Sequence, residues 1–244
     1  MSGADPAMLE ISPHLDLAAL AAEFASKGRL QVRDVLTEAS ALGLRQLLAE
    51  QTPWGLAWQA GAASPPQLIR TDQLASISNA ELESVARRAA ADPDYGFVYH
   101  SYPLVTAYLE RWNPGGSHER LLEELNGRAM LGLMRTLSGA ANIVKLDGQA
   151  TLYGPGHFLR PHDDSERERG RLVAYVLNLT AGDWQPAWGG YLNFFDADWD
   201  IEQAFRPRFN SLNLFRVPQW HNVGEVSSAA PRARYAVTGW ARDR

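Results

Sequence analysis

The sequence contains no cysteine. Disulfide bonds, thiolate zinc sites, iron–sulfur clusters and a catalytic thiol are therefore excluded, and any bound metal must sit on histidine, aspartate or glutamate. The chain also lacks an apolar run approaching the ~20 residues needed to cross a bilayer. Its first residues show no basic segment followed by an apolar one, which a signal peptide would have. These absences lead us to expect a cytoplasmic protein with no membrane partner.

Basic residues are fewer than acidic residues. The chain has 23 Lys and Arg against 28 Asp and Glu, so its formal net charge is −5. This balance argues against nucleic acid as a partner, because such proteins usually present a basic face. The hydrophobic fraction of 45% is ample for a packed core. The composition leaves the oligomeric state open.

The 244 residues fit one structural domain. Residues 1–13 are small and polar and are predicted to form a flexible tail. Residues 14–139 are predicted to be rich in helices that pack on the core. Within them, 92–117 lack periodicity and are predicted to be a long loop that partly covers a site. Residues 118–137 carry a broad apolar face and are predicted to form one helix.

Residues 140–244 have a different texture, in which short β-branched and aromatic runs alternate with turn signals. The predicted strands are Asn142–Lys145, Ala150–Tyr153, Leu172–Leu179, Gly190–Phe195, Ser211–Phe215 and Tyr235–Trp240. This many short strands indicate a β-sandwich or an open barrel. Helices followed by strands predict an α+β protein in which the helices brace one sheet.

Two histidines and a carboxylate carry the clearest chemical signal. His162 and Asp164 are separated by one residue, and on a strand such residues point to the same side. His221 follows much later, after enough chain for several strands to return to the same place. Two imidazoles and one carboxylate are the ligand set of mononuclear non-haem iron(II) oxygenases, which leave the other metal positions open. An isolated His-x-Asp is weak, but this ordered set within a β-rich segment is more specific.

An arginine near the end of the chain adds to this signal. Arg234 precedes the last predicted strand, and its guanidinium could clamp a carboxylate of an organic acid bound to the same metal. Arg232 competes for this role because it lies two positions earlier and would share a strand face. Asp163 is expected to face away from the metal.

These motifs resemble the Fe(II)- and 2-oxoglutarate-dependent dioxygenases, specifically the prolyl 4-hydroxylase-like branch. The resemblance covers about residues 140–241. It rests on the segment 152–164, with its tyrosine, Gly-rich turn and His-Asp-Asp, on Asp183-Trp184 and Trp188-Gly189-Gly190, and on the strand 234–240. The Asn-Leu-Thr and Asn-Ser-Leu-Asn-Leu-Phe segments are most similar to the prolyl hydroxylases that act on a small-subunit ribosomal protein.

The resemblance implies a double-stranded β-helix, or jelly roll, braced by the N-terminal helices. It implies that His162, Asp164 and His221 bind Fe(II) and are catalytic, and that 2-oxoglutarate and O2 are co-substrates, with ascorbate as a further candidate cofactor. Arg234 would pair with the far carboxylate of 2-oxoglutarate. The remaining residues expected at this co-substrate are Tyr153 as a hydrogen-bond donor, with Leu192 and Trp240 as pocket walls. The expected reaction is hydroxylation of a prolyl residue in a protein or peptide, with 2-oxoglutarate converted to succinate.

Three alternatives stay open at this point. The same chemistry could act on a free amino acid or small metabolite, which a pocket sealed by residues 92–117 would favour. A cupin-type metal enzyme would have no need of Arg234. A non-catalytic jelly-roll binding module would have a structural or lost metal site.

The charge run Glu166–Arg171 is either a solvated turn or a mobile lid, and the Trp-rich stretch Trp184–Trp199 either closes over a peptide or packs the sheet. The substrate and the oxidised carbon cannot be read from the sequence.

Overall fold

A computed structural model describes residues 7–165 and 170–244 of the chain. The charge run Glu166–Arg171, interpreted as either a solvated turn or a mobile lid, falls mostly on residues 166–169, which lie outside this description, as do residues 1–6 of the expected tail. Among the described residues no helix is both long enough and apolar enough to cross a bilayer.

Thirteen strands in the described residues form one antiparallel sheet. They are β1 Arg29–Arg33, β2 Gly55–Ala60, β3 Gln67–Ile69, β4 Gly96–Tyr102, β5 Lys145–Leu146, β6 Gln149–Tyr153, β7 Phe158–His162, β8 Arg171–Leu179, β9 Leu192–Phe195, β10 Ile201–Phe205, β11 Phe209–Arg216, β12 His221–Val223 and β13 Arg234–Arg242. The main path runs β1-β11-β8-β13-β6-β4-β7-β12-β9-β10. The sheet curls until it is nearly closed into a barrel, which confirms the predicted α+β jelly roll.

The helices are concentrated before residue 139. They are α1 Leu17–Lys27, α2 Glu38–Gln46, α3 Thr71–Leu74, α4 Asn79–Ala91, α5 Leu104–Leu109, α6 Ser117–Leu125 and α7 Arg128–Ser138, with a π-helix at Leu47–Gln51 and a 3₁₀ turn at Pro186–Trp188. The Asp16 side chain caps α1 by accepting from the Ala19 N–H, and Gly28 ends the helix with a φ of 69°. Only glycine adopts that left-handed conformation without a steric cost.

Side chains along each strand point alternately to the two faces of the sheet, so the sheet separates two apolar layers. On β8, Val173, Tyr175 and Leu177 join the large core beneath the helices. Ala174 and Val176 point the other way, into the barrel. The barrel interior is therefore built from every second residue of its strands, and these residues surround the candidate site.

The two ends of the sheet face each other across side chains. Arg29 on β1 donates from Nε to Oε1 of Gln203 on β10 and pairs with Glu202. Gln31 donates from Nε2 to the backbone oxygen of Arg206 at 3.1 Å. No backbone ladder joins β1 to β10 within the described ranges.

Three predictions from the sequence were wrong in the N-terminal half. Residues 92–117 are not a long loop, because β4 runs through the sheet between β6 and β7 and α5 follows it. The predicted helix over 118–137 is two helices, broken at Asn126, whose amide binds both backbone groups of Leu146. Residues 7–13 are not loose, since Leu9 is buried and its N–H donates to Glu124.

Candidate active site

His162 ends β7 and His221 opens β12, and the two residues are cross-strand partners. Their imidazole ring centroids are 4.1 Å apart. The Nε2 atoms lie 3.5 Å (His162) and 3.6 Å (His221) from the two carboxylate oxygens of Asp164. One ligand atom from each residue lies within 4.8 Å of the others, a grouping that could hold a metal ion. All three residues also line one cavity, and a set of only three protein ligands would leave further metal positions for a bound acid and O2.

Asp164 reaches this point by a turn and not by strand alternation. The strand ends at His162, and Asp164 follows it with a φ of 60°, in the left-handed region that aspartate tolerates better than most residues. The Trp240 indole N–H donates to Oδ2 of Asp164 at 2.9 Å, and the Arg171 guanidinium lies 3.7 Å from Oδ1. The carboxylate is thus positioned by a hydrogen bond and by a nearby cation before any metal binds.

Each imidazole is oriented through its second nitrogen. Nδ1 of His162 lies 2.9 Å from the Arg160 carbonyl oxygen, and Nδ1 of His221 lies 2.7 Å from that of Gln219. A carbonyl oxygen only accepts, so Nδ1 carries the proton and Nε2 presents its lone pair. Burial, and then the neighbouring His162 ring, hold the pKa of His221 well below its usual range. That ring is therefore neutral at pH 7, as a metal ligand must be.

Arg234 is a buried cation facing the same cavity. It opens β13, is 2% exposed, and is the cross-strand partner of Tyr153. One terminal nitrogen donates to the Gly190 carbonyl at 3.1 Å, while Nε has no hydrogen-bond partner. Burial lowers the pKa of Arg234 to about 10, which leaves it charged at pH 7. No acidic side chain of the described residues forms an ion pair with it, so the pocket suits a carboxylate brought by a ligand.

Arg232 lies elsewhere. It precedes β13, is exposed, and donates to the Ala181 carbonyl at 3.1 Å. Its guanidinium also lies over the Trp188 ring. Only Arg234 of the two arginines lines the cavity.

The three further residues expected at the co-substrate all line the cavity. Tyr153 stacks on Tyr99 with ring centroids 4.8 Å apart, and burial raises its pKa well above the usual value. It therefore remains a protonated phenol that can donate a hydrogen bond. Leu192 is a buried wall residue. Trp240 is more than the predicted wall, because its N–H binds Asp164.

The cavity has a volume of about 900 Å³ and extends from the three candidate ligands to the β2–β3 connection. Its polar lining includes Gln149 and Arg171, and residues 62–66 form part of the rim. No local sequence signal marks these residues, since each comes to the site through long-range pairing. Asp163, expected to face away, also lines the cavity, and its Oδ1 accepts from the Ser165 N–H.

Comparison with known proteins gives a family signature over the second half of the chain. Residues 148–242 match the model of the 2OG-Fe(II) oxygenase superfamily. Fe(II), 2-oxoglutarate and O2 are what this match implies, and the three candidate ligands and the unpaired Arg234 fit the first two. No curated protein matches the chain.

Solved structures share the fold over nearly the whole chain. A Pseudomonas putida prolyl-4-hydroxylase is 25% identical with a TM-score of 0.58, covering 93% of this chain and 99% of that chain. An oxidoreductase of the 2OG-Fe(II) oxygenase family from Burkholderia pseudomallei is 12% identical with a TM-score of 0.62, covering 97% and 95%. A Trichoplax adhaerens prolyl hydroxylase in complex with a hypoxia inducible factor peptide fragment is 14% identical with a TM-score of 0.58, covering 93% and 89%.

Proposed function

Because residues 148–242 are a 2OG-Fe(II) oxygenase domain, we propose that this protein hydroxylates a prolyl residue in a protein or peptide. The observation that carries the proposal is the convergence of His162, Asp164 and His221 on one cavity that also contains the buried Arg234. The finer resemblance to the ribosomal-protein prolyl hydroxylases stays a prediction.

His162, Asp164 and His221 would hold Fe(II), and Arg234 with Tyr153 would hold the far carboxylate of 2-oxoglutarate. When bound, these groups would supply O2 activation, in which one oxygen atom of O2 enters succinate as 2-oxoglutarate is decarboxylated and the other converts a C–H bond to C–OH. The protein's own share is orientation. Trp240 and the two backbone carbonyls fix the candidate ligands before any metal binds. Ascorbate is proposed only as a reductant that restores inactive iron.

The shape of the cavity favours a polypeptide over a small metabolite. The segment 92–117, which would have sealed the pocket as a loop, instead contributes β4 to the sheet. A volume of about 900 Å³ lies at the upper end of small-molecule sites, so it leaves room for a side chain beside an organic acid. The prolyl hydroxylase of Trichoplax adhaerens was solved with a peptide bound, which supports the same substrate class.

The walls near the candidate ligands suit a prolyl ring. Tyr95 lies with its ring centroid 6.2 Å from that of His162, and Phe97 and Leu159 join the same apolar cluster. A proline ring is apolar and a prolyl residue has no backbone N–H. It can therefore pack against this wall without burying an unpaired hydrogen-bond donor.

The test begins without oxygen. The metal-free protein is titrated with Fe(II) and then 2-oxoglutarate, and the weak visible charge-transfer band of the chelate is followed. The band should appear in the native protein and in His14→Ala, an exposed histidine control, and should be absent in His221→Ala. Iron binding without the band would favour a cupin-type enzyme over an oxygenase that uses 2-oxoglutarate.

The substrate is tested next, with oxygen present. Matched peptides that differ only in proline or alanine at the central position are analysed by mass spectrometry for the gain of one oxygen atom. Gain in the proline peptide alone supports the proposal. Gain in free proline or another free amino acid, with none in any peptide, would replace it by hydroxylation of a small metabolite.

A further inference from the structure

An aromatic surface faces outward beside the candidate active site. It consists of Trp199, Ile201 and Trp220, which are 55%, 57% and 43% exposed. The rings of Trp199 and Trp220 meet edge to face, with centroids 4.8 Å apart. Single exposed apolar residues are common, but a contiguous aromatic patch is typical of an interaction site. We call these three residues, with Asp198 and Asp200, the hairpin surface, since most of them belong to the β9–β10 hairpin.

Strand alternation ties this surface to the site. His221 on β12 is paired with Phe194 on β9, and both side chains point into the barrel. Their neighbours Trp220 and Phe195 consequently point outward, and the Phe195 N–H donates to the Trp220 carbonyl at 3.1 Å. The aromatic surface is thus one residue along the chain from a candidate metal ligand. The Gln219 N–H, next to Trp220, donates to the Asp163 carbonyl, and Asp163 lines the cavity, so this surface adjoins one part of the cavity wall.

The hairpin surface is also acidic. Residues 196–202 contain four carboxylates and no lysine or arginine. Asp196 accepts from the backbone N–H groups of Asp198 and Asp200, each at 2.9 Å, and Glu202 pairs with Arg29. Asp198 and Asp200 are exposed, and neither forms an ion pair with another described residue. Two carboxylates with no ion-pair partner among the described residues therefore flank Trp199 in the chain.

We infer that the hairpin surface docks a basic segment of the polypeptide substrate, next to the residue that enters the cavity. This inference rests on the proposed function. A lysine or arginine placed over Trp199 or Trp220 would gain a cation–π contact, and its charge would lie near Asp198 and Asp200. Its aliphatic stem would cover Ile201. A second copy of this chain fits less well, because a symmetric contact would bring the same carboxylates together.

The experiment measures binding separately from turnover. A fluorescent proline-containing peptide with flanking lysines, and its counterpart with glutamates at the same positions, are titrated with the full-length protein at low and moderate salt. The variants are Trp199→Ala with Trp220→Ala, and Asp198→Asn with Asp200→Asn. The matched controls are Leu109→Ala, at an apolar residue that is 74% exposed on α5, and Asp72→Asn, at an exposed acid on α3.

The lysine peptide should bind more tightly than the glutamate peptide, and added salt should narrow the difference. Loss of the two tryptophans should lower the affinity for the lysine peptide by at least about tenfold, as for aromatic anchors in other interfaces. Loss of the two carboxylates should remove most of the salt dependence. Both control variants should bind as the native protein does, and the amide variant keeps the test valid if the tryptophan variant unfolds.

Equal binding of the two peptides, or unchanged affinity in both surface variants, would overturn the inference. Failure of the proposed function looks different. If the lysine peptide binds and the variants weaken it, yet no peptide gains oxygen, the docking surface stands and the hydroxylase assignment falls. If peptides are hydroxylated equally well by the native protein and by both variants, the hydroxylase assignment stands and the docking surface falls.

Discussion

Replacing Arg234 by methionine separates ligand binding from folding. The side chain is 2% exposed, and its described polar contact is a single backbone carbonyl. Losing one partner of a buried charge pair costs about 3–5 kcal/mol, so 2-oxoglutarate affinity should fall by roughly 10²–10⁴-fold. Fe(II) affinity should be nearly unchanged, because Arg234 makes no described contact with His162, Asp164 or His221. Anaerobic calorimetry with the Fe(II)-loaded protein measures both constants.

The same substitution should not destabilise the ligand-free protein. Burial lowers the pKa of Arg234 from 12.5 to about 10, and that drop corresponds to a cost of about 3 kcal/mol for the buried cation at pH 7. Since the folded-state pKa is the lower one, this cost is relieved only above about pH 10. Methionine removes the charge and retains an apolar stem, so the free energy of unfolding without ligand should be equal or higher.

Added 2-oxoglutarate should then distinguish the two proteins. At a hundredfold excess over its dissociation constant the ligand should stabilise the Fe(II)-loaded native protein by about 2.7 kcal/mol and the variant by far less. Arg232→Met is the matched control, because that arginine is exposed and donates to Ala181 instead. Unchanged 2-oxoglutarate affinity in the Arg234 variant, or an equal loss in the Arg232 variant, would refute the reasoning.

Two further predictions concern residues around the site. Trp240→Phe keeps an aromatic ring but removes the indole N–H that binds Asp164, so metal titration should show Fe(II) affinity reduced by about 10–100-fold. Burial, and then the nearby His100, lower the pKa of His157 to about 4. The unfolded chain therefore binds more protons between about pH 6.5 and pH 4, and the free energy of unfolding should fall by up to about 3 kcal/mol as pH drops through that range. In His157→Gln this fall should be smaller.

Each of these has its own control. The control for the metal titration is Trp58→Phe, at a tryptophan packed against α4. If Trp240→Phe binds Fe(II) as tightly as the native protein does, the indole does not position Asp164. For the pH series, measured by denaturant unfolding, the control is His14→Gln at an exposed histidine. A His157→Gln curve with the full native slope would assign the acid sensitivity to other groups.

The sequence predicted the fold class well where the strands alternate or are rich in β-branched residues. It failed at β4, because this strand is buried on both faces and has no alternating pattern. The break between α6 and α7 has a local signal in Asn126-Gly127 that the apolar periodicity outweighed. Its cause is distant, since Asn126 binds the backbone of Leu146.

Part of the candidate site could also be predicted from the sequence. Ligand-type residues have a recognisable order along the chain, so His162, Asp164, His221 and Arg234 could be selected. The reason given for Asp164 was wrong, because a left-handed turn and not strand alternation brings it to the histidines. Arg171 could not be selected, since its place over the Trp240 ring depends on pairing between β8 and β13.

The side-chain closure between β1 and β10 gives the barrel a seam. Everywhere along the main path neighbouring strands are joined by backbone ladders, whereas at the seam Arg29 and Gln31 make the described contacts. Parting β1 from β10 breaks a few side-chain hydrogen bonds and no ladder, so β10 is held by a backbone ladder on one side only, to β9. Amide hydrogens of β10 should accordingly exchange with solvent faster than those of β8. The barrel therefore has an edge strand next to the Trp199 turn, which depends on one ladder and on the packing of Phe205 against Phe194.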